Sequence, residues 1–313
     1  MKFARPVKAP TSNSVIGIFS PSEPVTSDRV ARIEPRLTEL KAAGRRVVFG
    51  ENWLKHEAFQ AGSADERLSD VHDLLARYDV ELLLASWGGK SCAHLLRSFD
   101  YELAGRKEKP IAAFSDGCTL LNAITTRSGI VTFYGPNVLG KLHESQYGDL
   151  RQFYSHNGFS EMDLSGSIEA VYTTDKASAT GVLVGGNLSS FVVSILGSEY
   201  EPNFDDVILF LESGTKKPQE FDFLLSALLN SRFISNVRGV LFGSIPEKED
   251  HRWGNSVGNL DIVERVFGSM GIPVIVTKHF GHEELPNPAL PIGALATIDP
   301  RVGMLSIESE CLR

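Results

Sequence analysis

Cysteine is scarce in this sequence, and its scarcity excludes two classes of protein. Only Cys92, Cys118 and Cys311 occur among 313 residues. An odd number of cysteines without metal-ligand spacing provides neither a disulfide framework nor a zinc site. So few thiols are typical of a reducing compartment, and we expect the protein to hold no metal.

Long apolar runs and an excess of basic residues are missing too. No run approaches the roughly 20 apolar residues that span a bilayer, and no apolar block of signal-peptide length follows the basic residues near the amino terminus. The net charge is −8, whereas nucleic acids and anionic membranes bind concentrated basic surfaces. We therefore expect a cytoplasmic protein that binds small molecules or peptides, not nucleic acid or membrane.

The sequence does contain enough apolar residues, 42%, to build the cores of two domains. Up to about residue 140, apolar strand patterns alternate with amphipathic helical patterns. The predicted strands lie at 14–19, 46–49, 81–86 and 131–134, and the predicted helices include 29–43 and 91–99. This alternation predicts a doubly wound, mostly parallel sheet that binds ligands beyond the carboxyl ends of its strands.

The pattern changes beyond residue 140. A mixed, polar stretch is followed by short strand patterns at 181–184, 207–211, 239–242, 273–276, 294–298 and 304–307. Helical patterns at 221–229 and 260–267 interrupt them. We predict an α/β protein with an amino-terminal domain over 1–140, a linker over 141–175 and a smaller β-rich, barrel-like domain over 176–313.

A candidate nucleophile lies shortly after the apolar strand pattern at 111–112. Ser115 has a small residue two positions away on each side, Ala113 and Gly117, and a helical pattern comes next. This is the arrangement of a nucleophile elbow, a turn so tight that larger side chains would clash. The backbone N–H of Asp116 would then point at a developing oxyanion.

A catalytic serine needs a base and a group that orients the base. His282 lies on a loop after the strand pattern at 273–276, whereas six other histidines lie in helical or polar surroundings. Glu212 ends the apolar pattern at 207–211. If the two domains bring these side chains to Ser115, His282 takes the hydroxyl proton and Glu212 fixes the imidazole tautomer.

Short blocks in a fixed order give the chain a resemblance to a known family. The blocks are Ser20-Pro21-Ser22, Trp87-Gly88-Gly89, Phe114-Ser115-Asp116, Tyr134-Gly135-Pro136, Val184-Gly185-Gly186-Asn187-Leu188, Leu209-Phe210-Leu211-Glu212, Phe280-Gly281-His282 and Leu290-Pro291-Ile292-Gly293. Over nearly its whole length, from Ile16 to Leu312, the chain resembles the serine LD-carboxypeptidases and their relatives, the microcin C self-immunity peptidases.

The resemblance implies a catalytic triad of Ser115, Glu212 and His282, the same residues that the strand ends indicate. It also implies an α/β amino-terminal domain, a smaller β-rich domain, a site at the junction of the two, and a homodimer. The implied reaction is acyl transfer to water near a free carboxyl end, as in peptidoglycan recycling, with no metal or organic cofactor. The N–H of Asp116 and that of Gly88 or Gly89 would hold the oxyanion.

Substrate choice depends on a departure from the family. Members that recycle cell wall read Arg-Gly-Gly-Tyr-Gly where this chain has Trp87-Gly88-Gly89-Lys90-Ser91. Trp87 offers a stacking surface and Lys90 a point charge, and Asn187 is a further candidate for binding substrate. We predict hydrolysis of the L-D bond of a murein tetrapeptide, with an immunity-type amidase that cleaves aminoacyl-nucleotide conjugates as the alternative.

Two further hypotheses belong to other classes. In the first, the chain is a non-catalytic peptide-binding protein, because α/β scaffolds host many functions. In the other, Cys118 replaces Ser115 as the nucleophile, although its position on the helix side of the elbow favours a packed thiol.

Overall fold

Two compact units make up the chain in a computed structural model. The structure describes residues 3–42, 44–135, 137–138, 148–154, 158–172, 178–248, 257–283 and 287–313. The amino-terminal unit comprises residues 4–158, 288–293 and 310–313, and the carboxyl-terminal unit comprises 1–3, 159–287 and 294–309. The domain limits at 140 and 175 stay predictions, and part of the predicted linker lies outside the described residues.

The elements of the described residues alternate as follows. The strands are β1 (Val15–Phe19), β2 (Arg46–Phe49), β3 (Val80–Ala85), β4 (Ile111–Ala113), β5 (Thr132–Tyr134), β6 (Glu161–Asp163), β7 (Ile168–Tyr172), β8 (Ala179–Asn187), β9 (Val207–Glu212), β10 (Val237–Phe242), β11 (Val274–Thr277), β12 (Leu290–Ile292), β13 (Leu295–Asp299) and β14 (Met304–Ile307). The helices are α1 (Ser27–Ala42), α2 (Ala64–Ala76), α3 (Tyr101–Lys107), α4 (Cys118–Ser128), α5 (Gly148–Phe153), α6 (Leu188–Ser190), α7 (Pro218–Leu229) and α8 (Asn259–Phe267). Within the described part of the chain, no helix combines the length and apolar character that a membrane crossing requires.

The amino-terminal unit contains a mostly parallel sheet, as predicted. Its described strands have the order β12-β5-β4-β3-β1-β2, and β12 alone pairs antiparallel, with β5. Every residue of β1 and β4 is buried, which is typical of parallel strands covered on both faces. Pro291 is tolerated in β12 because the strand lies at the sheet edge, where a missing N–H breaks no ladder.

The carboxyl-terminal unit contains a mixed sheet. Its described strands have the order β6-β14-β13-β8-β9-β10-β11-β7. The central strands β8 to β11 run parallel, and the flanking strands pair antiparallel. In the described residues the outer strands β6 and β7 do not pair with each other, so closure into a barrel stays a prediction.

Four elements differ from the sequence-based expectation. The helix predicted over 91–99 is a 3-10 helix over Cys92–Ser98. The predicted linker contains β6 and β7, and β12 was not predicted at all. These strands are short and pair with segments distant in sequence, so their local pattern carries little signal.

A close approach between β8 and β9 sets the register of the carboxyl-terminal unit. Gly185 and Gly186 have φ of +139° and +135°. A Cβ on Gly185 would lie 1.8 Å from the Phe210 carbonyl oxygen. The resulting register places Asn187 opposite Glu212 at the carboxyl ends of both strands.

Alanine at Gly185 should destabilise the protein far more than alanine at Gly197. Both glycines have positive φ, which costs an L residue about 1–2 kcal/mol. Nothing lies within 4 Å of a Cβ on Gly197, whereas the Gly185 methyl would meet backbone. Urea denaturation should show a loss of about 1 kcal/mol for Gly197→Ala and at least about 3 kcal/mol for Gly185→Ala. Equal losses would contradict the close approach.

Candidate active site

Ser115 lies just beyond β4 with an uncommon backbone conformation. Its φ is +59°, and left-handed values at residues with a Cβ persist only where the surroundings enforce them, often at functional sites. The Ser115 N–H donates to Tyr134 Oη at 3.1 Å. The Phe114 N–H donates to Asn137 Oδ1, also at 3.1 Å. Hydrogen bonds thus fix two adjacent backbone amides. Ser115 is half-buried, and the short turn that it begins connects β4 to α4.

Two glycines leave room for this turn. A Cβ on Gly117 would lie 2.5 Å from the Cβ of Ala113. A Cβ on Gly88 would lie 2.8 Å from the Cβ of Ser115 and 3.3 Å from its Oγ. Because Gly88 follows β3 and Ser115 follows β4, the structure brings together the ends of these neighbouring strands.

Asp116 joins the loops around Ser115. The residue is 4% exposed, and its carboxylate accepts hydrogen bonds from Ser22 Oγ at 2.6 Å and from the Cys92 N–H at 2.9 Å. Gly89 lies in the same region, because a Cβ there would be 2.4 Å from Ser22 Oγ. The structure therefore gathers Ser115, Asp116, Gly88 and Gly89 in one unit, while the oxyanion roles of the last three stay predictions.

Glu212 and His282 form a pair in the carboxyl-terminal unit. Glu212 is the last residue of β9 and has no exposed surface. His282 follows β11, and its Nδ1 lies 2.5 Å from Glu212 Oε2. A carboxylate can only accept, so Nδ1 carries the proton and Nε2 is the basic nitrogen of the neutral ring.

Asn187 holds the other oxygen of the same carboxylate. Its Nδ2 donates to Glu212 Oε1 at 3.1 Å, and its Oδ1 accepts from the Ser190 N–H at 3.3 Å. Both the nitrogen and the oxygen of the amide thus bond within the protein, so Asn187 positions the Glu212 carboxylate. Contact with substrate stays a prediction.

The loop that carries His282 is held by a residue that the sequence reasoning missed. Asn287 Oδ1 accepts from the Gly281 N–H at 2.6 Å, and its Nδ2 donates to the Gly281 carbonyl at 2.9 Å. Gly281 has φ of +142°, and a Cβ there would lie 2.7 Å from the Cβ of Ser244. Asparagine before Pro288 was the available signal, since asparagine commonly bonds to backbone in turns.

Opposing influences set the pKa of His282. Burial lowers this pKa, the charge of Glu212 and its hydrogen bond raise it, and the charge of Lys216 lowers it. The carboxylate prevails, and the pKa of His282 lies above its usual 6.5. A raised pKa makes the imidazole a stronger base that is neutral, and therefore competent, only at higher pH.

The ring of Trp87 already has two cationic neighbours, both from α1. The guanidinium carbons of Arg29 and Arg32 lie 4.6 Å and 5.8 Å from the ring centroid, within cation–π range. Arg29 also pairs with Glu23 at 3.0 Å. Lys90 is exposed. Sequence reasoning identified the aromatic surface but missed the guanidinium groups beside it.

The alternative nucleophile, Cys118, is placed less favourably. Cys118 has no exposed surface, so the cysteine-hydrolase hypothesis places its nucleophile where no substrate reaches. Burial raises the pKa of Cys92, and that of Cys311 to about 12. The part of the chain that the structure describes contains no group of three His, Cys, Asp or Glu side chains arranged to hold a metal. Pro136, His143, His156 and His251 lie outside the described residues.

Two protein-family models match the chain. One, described as the LD-carboxypeptidase N-terminal domain, matches residues 16–135. The other, described as the LD-carboxypeptidase C-terminal domain, matches residues 180–298. The first match includes Ser115, and the second includes Glu212 and His282.

Individual proteins match over nearly the full length. A probable murein peptide carboxypeptidase of Bacillus subtilis (strain 168) is 27% identical over 302 residues, which cover 93% of this chain and 91% of that one. The structure of microcin C7 self-immunity protein MccF in its inactive mutant apo state matches with a TM-score of 0.88 and 23% identity, covering 99% of this chain and 100% of that one. The muramoyltetrapeptide carboxypeptidase of Oxalobacter formigenes gives 0.79 and 22%, covering 95% and 99%. At these identities the two structural likenesses show the fold.

Replacing Glu212 should reverse the direction in which the pKa of His282 is displaced. In the wild type we expect this pKa above 6.5. Glu212→Gln removes the charge that raises it, while burial and Lys216 still lower it, so the pKa should fall below 6.5. NMR titration of the ring protons measures both values, and His279, whose own pKa burial lowers, serves as the unchanged internal control. A wild-type His282 pKa below the usual value would contradict the pairing.

Proposed function

Because this chain belongs to the LD-carboxypeptidase family, we propose that it is a serine carboxypeptidase that hydrolyses a peptide or amide bond near a free carboxyl end. The observation that best supports the proposal is the left-handed backbone of Ser115 at the end of β4. Such a turn exposes a hydroxyl at the carboxyl ends of the strands, where sheets of this kind bind ligands. A strained backbone of this kind persists mainly where function requires it.

The proposed mechanism is a two-step acyl transfer. Ser115 Oγ attacks the carbonyl carbon while His282 Nε2 takes the hydroxyl proton, and Glu212 stabilises the resulting imidazolium. The N–H of Asp116 and that of Gly88 or Gly89 hold the oxyanion. His282 then gives its proton to the leaving amine, and an ester remains on Ser115. Water that His282 deprotonates attacks this ester and releases the acid and the free serine.

We propose a murein tetrapeptide as the substrate, with the terminal L-D bond as the bond that is cleaved. The Bacillus subtilis relative bears the name of a murein peptide carboxypeptidase and covers nearly the whole chain. In this setting the enzyme would act in peptidoglycan recycling. The homodimer and the cytoplasmic location stay predictions.

An aminoacyl-nucleotide amidase is the second candidate. MccF has been solved with aspartyl sulfamoyl adenosine and with glutamyl sulfamoyl guanosine. The feature of this chain that favours such a ligand is Trp87. It directly precedes Gly88, the residue that packs against Ser115. Aromatic rings stack on bases, and nearby guanidinium groups attract anionic linkers.

Ser115→Ala should abolish hydrolysis. We expect kcat/KM to fall by at least about 10⁴-fold, since the attacking atom is lost. Wild type and variant are incubated with a murein tetrapeptide ending in D-Ala and, separately, with an aminoacyl sulfamoyl adenosine, and products are identified by mass spectrometry. Cys118→Ala is the matched control and should retain activity.

The outcomes separate the hypotheses. Release of D-Ala by the wild type alone supports the cell-wall substrate, and cleavage of the nucleoside conjugate alone supports the amidase. Full activity of Ser115→Ala together with loss of activity in Cys118→Ala would show that Cys118 is the nucleophile. Tight peptide binding by the wild type without hydrolysis would support the binding protein.

Ser115 and His282 should behave as one catalytic unit. If both act in the same proton-coupled step, the Ser115→Ala/His282→Ala double variant loses no more activity than Ser115→Ala alone. The measurement is a double-mutant cycle on kcat/KM. Losses that multiply would show that the two side chains contribute independently, which the triad does not allow.

A further inference from the structure

A set of buried polar groups lies close to Ser115, and the mechanism above leaves their side chains unused. Ser22, Arg67, Ser91 and Asp116 are 0%, 1%, 1% and 4% exposed. We call these four residues the Ser22–Asp116 network. Burying charged and polar groups is unfavourable unless each has hydrogen-bond partners, so their presence beside an apolar sheet calls for a reason.

Ser22 and Asp116 together bond to two consecutive backbone amides. The Ser91 N–H donates to Ser22 Oγ at 2.9 Å, and the Cys92 N–H donates to Asp116 Oδ2 at 2.9 Å. Ser22 in turn donates to Asp116 Oδ2 at 2.6 Å. The three bonds fix the start of the 3-10 helix, which begins at Cys92, three residues after Gly89.

Arg67, on α2, ties down the backbone of the same loops. Its Nη1 donates to the Pro21 carbonyl at 2.7 Å and to the Ser91 carbonyl at 3.1 Å. Its Nη2 donates to Gln60 Oε1 at 3.1 Å. The guanidinium therefore links the loop after β1 to the loop after β3, and its rigid fork suits such multiple contacts.

These contacts hold the backbone that packs directly on the nucleophile. The Gly88 carbonyl accepts from the Glu23 N–H at 3.0 Å. A Cβ on Gly88 would touch Ser115, and a Cβ on Gly89 would touch Ser22. Asp116 is the residue next to Ser115. The network thus supports the Gly88-Gly89 loop and the Ser115 turn, the two segments that pack against each other.

We propose that the Ser22–Asp116 network is a positioning device that holds the Gly88-Gly89 loop and the left-handed Ser115 turn in transition-state geometry. The inference rests on the proposed function and concerns residues that act through Ser115. Ser22 and Arg67 are positioning residues in this account. Donors that are fixed in advance cost no reorganisation during the reaction, and a misplacement of about 1 Å lowers rates about 10²-fold.

Ser22→Ala tests the proposal, with Ser20→Ala as the matched control. Ser20 is a buried serine of the same loop, 3% exposed, but it donates to the Trp53 carbonyl at 2.7 Å and bonds to Ser86 Oγ at 2.7 Å, outside the network. Ser22→Ala should lower kcat about 10- to 100-fold with KM changed less than about threefold. Ser20→Ala should leave kcat within about threefold, although both variants lower the melting temperature.

A second readout is independent of peptide binding. A fluorophosphonate labels an activated serine: Ser115 Oγ bonds to phosphorus, fluoride leaves, and the hydroxyl proton passes to His282. Ser22→Ala and Asp116→Asn should slow this labelling by the same factor as kcat, with the pH midpoint unchanged because His282 is not altered. The Asp116 variant keeps the test valid if Ser22→Ala folds poorly.

The outcomes distinguish failure of this inference from failure of the proposed function. An active wild type whose Ser22→Ala variant keeps normal kcat and labelling overturns the positioning role alone. Equal losses in Ser20→Ala and Ser22→Ala do the same, because they reflect general destabilisation. A wild type that neither hydrolyses nor labels overturns the proposed function and this inference together.

Discussion

The left-handed backbone of Ser115 is the constraint on which the surrounding loops depend. A residue with a Cβ at φ of +59° stays there only if its surroundings remove the alternatives. Tyr134 does so by bonding the Ser115 amide, and Gly88 and Gly117 do so by leaving room where a side chain would clash. Small residues recur around this turn for that reason, and the Trp87-Gly88-Gly89 and Phe114-Ser115-Asp116 blocks reflect the same steric requirement.

The carboxyl-terminal unit solves a different problem, the burial of a carboxylate. Glu212 has no exposed surface, and an unpaired charge there would cost several kcal/mol, by an order-of-magnitude estimate. Asn187 and His282 each bond to a different oxygen of it. The same bonds that stabilise the carboxylate also select the imidazole tautomer and raise the pKa of His282. The stability of the unit and the protonation of His282 therefore depend on the same contacts, so a substitution at Glu212 should change both.

The sequence predicted the strands that are continuous apolar runs and the candidate residues at their ends. It did not predict the hydrogen bonds that side chains make to segments distant in sequence. It located β4 closely, because buried parallel strands are continuous apolar runs. The positions of Ser115 and His282 after strands, and of Glu212 at the end of β9, followed from such runs. It missed Arg67 and Asn287, whose partners are backbone groups chosen by tertiary structure. It also missed β7 and β12, since short strands that pair with distant segments have no local period of their own.

The Trp87 position shows why a motif alone does not decide the substrate. Where cell-wall enzymes of the family read arginine, this chain has an aromatic ring, which suggests that a planar cation has been lost. In this fold α1 brings guanidinium groups to the Trp87 ring, with that of Arg29 4.6 Å from the ring centroid. Arg29 is partly neutralised by Glu23, whereas Arg32 lies farther from the ring and is exposed. The cations beside the Gly88-Gly89 loop therefore come from α1 as well as from Lys90 of the motif. How much of the Trp87 ring face stays open depends on where α1 places these two guanidinium groups, which a motif of neighbouring residues does not encode.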